Sequence, residues 1–183
     1  MSPRILEDRA ASTDVPVGSY HIDPARSTVS FTTRHLFCLG RVQGTFDLRA
    51  GEIRVAHPVE QSSVRAVLAA DSFTTGHTRR DDDVRSAKFL DAAAHPHITF
   101  TSDRLQHVSG TWAVSGTLCA HGISRPIELM VDQVRCSGTD VSLRAQARID
   151  RYDFGITAAR GMAARHLDLH LQVVAHAQNP KES

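Results

Sequence analysis

From Val141 to Asp150 the chain alternates without a break. Val141, Leu143, Ala145, Ala147 and Ile149 fall on one side, with Ser142, Arg144, Gln146, Arg148 and Asp150 on the other. Successive side chains of an extended backbone point to opposite faces, so this is the pattern of a strand with one buried and one wetted face. The same period runs through Val29, Phe31 and Thr33, and through Val42, Gly44, Phe46 and Leu48. It continues in Val64, Ala66 and Leu68, in Ile98 and Phe100, and in Trp112, Val114, Gly116 and Leu118. Ile127, Leu129 and Val131 form a further row, and Leu167, Leu169, Leu171, Val173 and Ala175 form the last. Together the rows predict about eight strands.

Ala50-Gly51, Ser109-Gly110 and Ser137-Gly138 each stand between rows, where glycine supplies the positive φ of a tight reversal. Short reversals predict antiparallel neighbours, and antiparallel strands with one apolar face either pair as a sandwich or close into a barrel. Alternation alone leaves both open. A different texture appears from Thr78 to Ala94, which reads as a helical connection without a strong apolar stripe.

A chain of 183 residues supports one well-buried core. Residues 18–177 read as a single domain, with 1–17 and 178–183 as flexible ends. The net charge of +1 gives no broad electrostatic footprint for nucleic acid. No run approaches the roughly 20 apolar residues of a membrane span, and the first residues hold no secretory apolar segment. Cys38, Cys119 and Cys136 show no CxxC spacing, which points to small apolar thiols in a reducing cytoplasm.

The densest chemistry lies in TGHTRRDDDVRSAKFLDAAAHPHITF, Thr75 to Phe100. His77 and Asp81 are four apart, as on one helical face; His95 and His97 are two apart, as on one strand face. A metal-dependent enzyme would use these four residues. The competing reading makes Asp81, Asp82 and Asp83 the acidic start of a helix, paired with Arg79, Arg80 and Arg85. No GxSxG elbow, GxGxxG or GxxxxGK[ST] loop is present, and Cys119 with His121 sits at a strand end. Inward apolar rows on a barrel allow a third outcome, a cavity holding one elongated ligand in place of a filled core.

Five ordered motifs resemble the YceI-like, polyisoprenoid-binding, lipocalin-like family. They are YHIDPARSTVSFTTRH with VQGTF, Tyr20 to Phe46; the Thr75-Gly76 and Arg80-Asp81 pairs with VRSAKFLD; HPHITF; LCAHGISRPIEL, Leu118 to Leu129; and RYDFGI, Arg151 to Ile156. The resemblance covers about Ser19 to Ala177. It implies an all-β fold, an eight-stranded antiparallel lipocalin-like barrel with one short helical connection, enclosing a long apolar channel. It implies a non-enzymatic carrier of a polyisoprenoid, an isoprenoid quinone or a similar lipid, with no cofactor, no metal, no stable membrane insertion and possible pairing as a homodimer. Asp83 stands where the family often has histidine, so no role of that histidine transfers. Many relatives begin with a secretory signal, a second departure.

Combining resemblance and alternation, the expected ligand lining is Phe31, Val42, Phe46, Leu68, Ile98, Phe100, Leu118, Leu129, Leu143 and Leu169. Arg34, Arg79 and Arg80, with Arg41, are the expected head-group contacts near a barrel mouth, where guanidinium groups pair well with phosphate. A filled barrel serving as an interaction scaffold is the remaining alternative.

Overall fold

The alternating rows become ten strands. They are β1 (Gly18–Ile22), β2 (Thr28–His35), β3 (Gly40–Phe46), β4 (Leu48–Val55), β5 (Ser63–Ala69), β6 (His97–Val108), β7 (Thr111–Ala120), β8 (Ile123–Ser137), β9 (Asp140–Asp150) and β10 (His166–Ala177). One helix, α1 (Thr78–Arg85), lies in the connection from β5 to β6. The structure is a computed structural model in which residues 15–35 and 40–178 are described. Cys38 and most of both terminal segments lie outside the described residues. Among those residues no helix is long and apolar enough to cross a membrane.

All neighbouring strands are antiparallel. β1, β4, β5, β6, β7, β8, β9 and β10 pair in that order, and β1 pairs with β10 to close a ring of eight. β2 continues the line of β1 along the other half of β10, and β3 continues β4 after the single residue Asp47. The ten segments are therefore eight staves, two of them bent, and the sheet is a barrel. Beyond Asp47 the outer edge of β3 meets loop in place of strand: Thr45 and Thr74 exchange both backbone hydrogen bonds, at 2.9 and 3.1 Å. At this end, loop and helix complete the wall.

The turns at Ser109-Gly110 and Gly138 have the expected positive φ, at 50°, 85° and 61°. Ala50-Gly51 is different, because it lies inside β4 beside a register shift. Gly51 is needed there for space: a Cβ would fall 2.5 Å from Ile22 Cδ1. The helix is also shorter than expected, ending at Arg85 instead of Ala94. Ser86 is extended (φ −68°, ψ 168°), its hydroxyl donates to the Asp83 carbonyl, and Asp91 takes φ 46°. Side-chain hydrogen bonding by serine competes here with the helical ladder.

A polar latch spans the closing seam on the barrel's outer face. His176 of β10 donates through Nδ1 to Asp140 at 2.6 Å and through Nε2 to Asp23 at 3.1 Å, while Arg26 donates to Asp140 at 2.9 Å. The hydrogen bond to Asp140, then that to Asp23, raises the His176 pKa above the ordinary 6.5. His176 in turn lowers both aspartates below 3.8, the largest cause in each case.

Protonated His176 is favoured in the folded chain, so its stabilisation is full below pH 6.5 and fades as pH rises through the raised pKa. The aspartates' stabilisation is present above pH 3.8 and fades as pH falls through their lowered values. The difference in thermal midpoint between the wild type and His176→Gln is expected to be largest near pH 5–6 and to shrink toward pH 9. Melting curves across that range, with an NMR titration of the His176 ring, measure this; a difference independent of pH contradicts the latch.

Candidate functional site

Depth along the barrel follows from register. At the end covered by α1, inward side chains surround a chamber of about 730 Å³. Val29, Phe31 and Thr33 come from β2, Val42 and Phe46 from β3, and Leu68 from β5. Ile98 of β6, Leu118 and Ala120 of β7, Ile149 of β9, and Leu167 and Leu169 of β10 complete the strand side. The volume lies within the range of about 300–1,000 Å³ typical of small-molecule sites. One wall is aromatic: Phe31 stacks on Phe73 with centroids 5.2 Å apart, and Phe46 meets their edges at 5.8 and 5.4 Å. Such a surface suits flat or unsaturated chains.

Further along each strand the next inward residues pack against one another. Phe100, Leu129 and Ala145 form a buried cluster with Val114, supported by Leu171. Gly116 lies under Phe100; a Cβ there would be 2.7 Å from Phe100 Cζ. Beyond this belt is a second chamber of about 270 Å³, lined by Tyr20, Val64, Trp112, Val141 and Leu143 among others. The long channel expected from the resemblance is thus two chambers on either side of a packed waist. The larger chamber leaves this end of the barrel unfilled by its own side chains.

Seven expected lining residues, Phe31, Val42, Phe46, Leu68, Ile98, Leu118 and Leu169, surround the large chamber. Phe100 and Leu129 belong to the waist instead, where facing side chains meet and leave no space. Leu143 faces the smaller chamber. Arg34, Arg79 and Arg80 border the large one. Arg41 is exposed and does not, since it precedes inward Val42 on β3 and strand alternation turns it outward.

The wall opposite the strands escaped the alternation argument. It is built from Phe73, Val84, Phe89 and Leu90 around α1 and from Phe154 to Ala164 between β9 and β10. Scattered apolar residues in these non-strand segments were the available signal. Arg151 was missed as well, although it stands first in RYDFGI. Its side chain is 7% exposed and donates to three carbonyls: Ile156 at 2.6 Å, Ala164 at 2.9 Å and Ala163 at 3.2 Å. Burial lowers its pKa. The guanidinium therefore holds the 156–164 loop in place and presents positive charge to the chamber wall.

Charge is distributed unevenly around this opening. Among the described residues lining the large chamber, Arg34, Arg79, Arg80, Lys88 and Arg151 are cationic and Asp83 alone is acidic. The chain as a whole carries only +1.

The four residues of the enzymatic alternative are engaged separately. Asp81 is buried and accepts from Thr74 Oγ1 and from the Thr75 amide and hydroxyl. Burial pushes its carboxyl up, but those hydrogen bonds and Arg85 outweigh it and hold the pKa below 3.8. His77 is the N-cap of α1, accepting from the Arg80 amide, and so takes the capping place expected of the aspartates. His95 packs edge-on against His121, and His97 is exposed at the start of β6. Among the described residues no three His, Cys, Asp or Glu side chains are grouped to hold a metal ion.

The fold is of the class of closed antiparallel barrels, here with an apolar chamber that has several cations among its lining residues. The sequence profile of the YceI-like domain matches residues 20–175, and the chain belongs to that family. Protein YceI of Escherichia coli is 30% identical over 115 residues, 60% of each chain. A UPF0312 protein of Pectobacterium atrosepticum is 29% identical over 116 residues. The match spans 60% of the length of the latter. A UPF0312 protein of Vibrio campbellii is 26% identical over 157 residues, 82% of each chain.

Solved structures share the fold. Burkholderia cenocepacia BcnA superposes with a TM-score of 0.76 at 21% identity, covering 84% of this chain and 98% of that one. A polyisoprenoid binding domain from Saccharophagus degradans, implicated in plant cell wall breakdown, gives a TM-score of 0.68 at 18% identity, covering 87% and 98%.

Phe100→Ala is expected to join the two chambers and to lower unfolding free energy by about 3–5 kcal/mol. Denaturant melts measure the loss, and a crystal structure of the variant shows whether the waist has opened or collapsed. Arg151→Lys is expected to cost about 2–3 kcal/mol, because one ammonium cannot reach three carbonyls set for a guanidinium fork. Its amide exchange should speed up at Ile156, whose N–H donates to the Arg151 carbonyl.

Proposed function

We propose that this protein is a non-enzymatic carrier or store for a long-chain apolar ligand, an isoprenoid or similar lipid, whose tail fills the large chamber. The observation that carries this reading is the coincidence of one large apolar chamber with several cations among its lining residues. Burying a tail contributes about 0.8 kcal/mol per methylene, so twenty carbons offer on the order of ten kcal/mol before ordering costs. Affinity needs no charged anchor. Arg34, Arg79 and Arg80 then fix which end of the ligand faces out, and a phosphate, diphosphate or carboxylate head suits them better than a neutral one. The polyisoprenoid-binding description of the Saccharophagus degradans domain supports the same ligand class. A reducing cytoplasm suits the free thiol of Cys119, and a homodimer is compatible with this role.

Organic extraction of purified protein, followed by mass spectrometry, is expected to yield one long-chain lipid species in stoichiometric amount. Leu118→Trp, which fills the chamber from β7, should reduce the extracted lipid by about ten-fold or more while the melting profile stays cooperative. Repeated extraction without lipid from the wild type contradicts the reading.

A further inference from the structure

A carrier of this kind must exchange its ligand without dragging the tail through water, and one face of the barrel is built for that transfer. The described exposed large apolar side chains are Val17, Val108 and Met162, and of these only Met162 lies at the mouth of the large chamber, 55% exposed. It sits in the loop that Arg151 holds in place, between small residues Ala158, Ala159, Gly161 and Ala163. Arg160 is exposed beside it, with its guanidinium 5.2 Å from the Tyr152 ring. Across the opening stand Arg34, Arg79 and Lys88, all exposed. Elsewhere on the barrel, Arg26, Arg49, Arg148 and Arg165 are matched with Asp140, Asp71, Asp168 and Asp150, and further exposed arginines such as Arg54, Arg65 and Arg144 are spread over the outer sheet face away from either chamber. Among the described residues the second chamber has no arginine, lysine or carboxylate in its lining. The large chamber is thus the one of the two that joins lining cations to an exposed apolar side chain, Met162; Val17, also exposed, borders the smaller chamber without them.

We propose that this mouth face docks on an anionic membrane surface, with Met162 among the acyl chains and Arg34, Arg79, Lys88 and Arg160 against acidic head groups. Charge complementarity selects this partner: cations around an apolar tip match a surface that is negative outside and hydrocarbon beneath. Docked this way, the chamber opens directly onto the lipid phase, and a ligand tail passes between two apolar environments. The contact is peripheral, because one apolar side chain and a few charges give reversible binding. The proposal rests on the carrier reading, and its test is independent of whether lipid is bound.

The test is co-sedimentation of the full chain with vesicles of phosphatidylcholine alone or containing about one third phosphatidylglycerol. Binding to the anionic vesicles is expected to be about ten-fold or more tighter, and to be lost as salt rises from about 0.1 to 0.5 M. Arg160→Glu, outside the chamber lining, is expected to reduce vesicle binding about ten-fold while leaving the extracted lipid unchanged. Met162→Ser should reduce it further. Equal affinity for both vesicle types, or no binding to either, overturns the proposal. So does a change in oligomeric mass on light scattering when Arg160 is reversed, since the face would then be covered by a second copy. A wild-type chain that yields lipid on extraction but binds neither kind of vesicle refutes docking alone; lipid never extracted from the wild type refutes the carrier reading.

Discussion

Pairing along β10 is the constraint on which the barrel depends. This strand runs beside β9 on one side, while the other side is shared between β1 and β2. Without that shared pairing the sheet keeps two free edges and its apolar face has no closed interior. Its inward residues serve both ends of the molecule. Leu167 and Leu169 border the large chamber, whereas Val173 and Ala175 lie in the packed cluster under the seam. One continuous strand thus fixes the distance between the large chamber and the packed seam.

The packed seam and the waist explain how a hollow protein remains well packed. A barrel of eight strands is just wide enough for its own side chains to meet across the axis. Here they meet around Phe100, with Gly116 and Ala145 making room for the ring, and at the seam around Tyr20, Ile22 and Val141. The packed part of the core carries stability, and the other end keeps an open apolar chamber. Separating these tasks lets the chamber keep its volume without collapsing.

Strand positions and faces were legible because period two is a local property, written in each residue's immediate neighbours. Ala50-Gly51 was misread because glycine has two uses, and the approach of Ile22 that requires it comes from a distant segment. The division of inward residues between chamber and waist was also hidden. Alternation says that Phe100 and Leu129 point inward; only closure decides that they touch. Phe46 and Leu118, with the same local pattern, border open space. Arg151 escaped for a related reason, since its three acceptors lie in a loop whose path depends on that same arginine. The cations of α1 were visible as a cluster, but their place beside Arg34 required β2 and the β5–β6 connection to be brought together.

The unequal construction of the chamber wall has a further consequence. Strand register locks the position of every residue on the sheet side, where a single insertion would turn a whole row from inside to outside. The facing wall is made from the segments around α1 and between β9 and β10, tied down by Asp81 and Arg151. Residues can be gained or lost there without disturbing a single strand pair. A family built on this plan can change the shape of what it encloses by editing two loops, while the sheet stays the same.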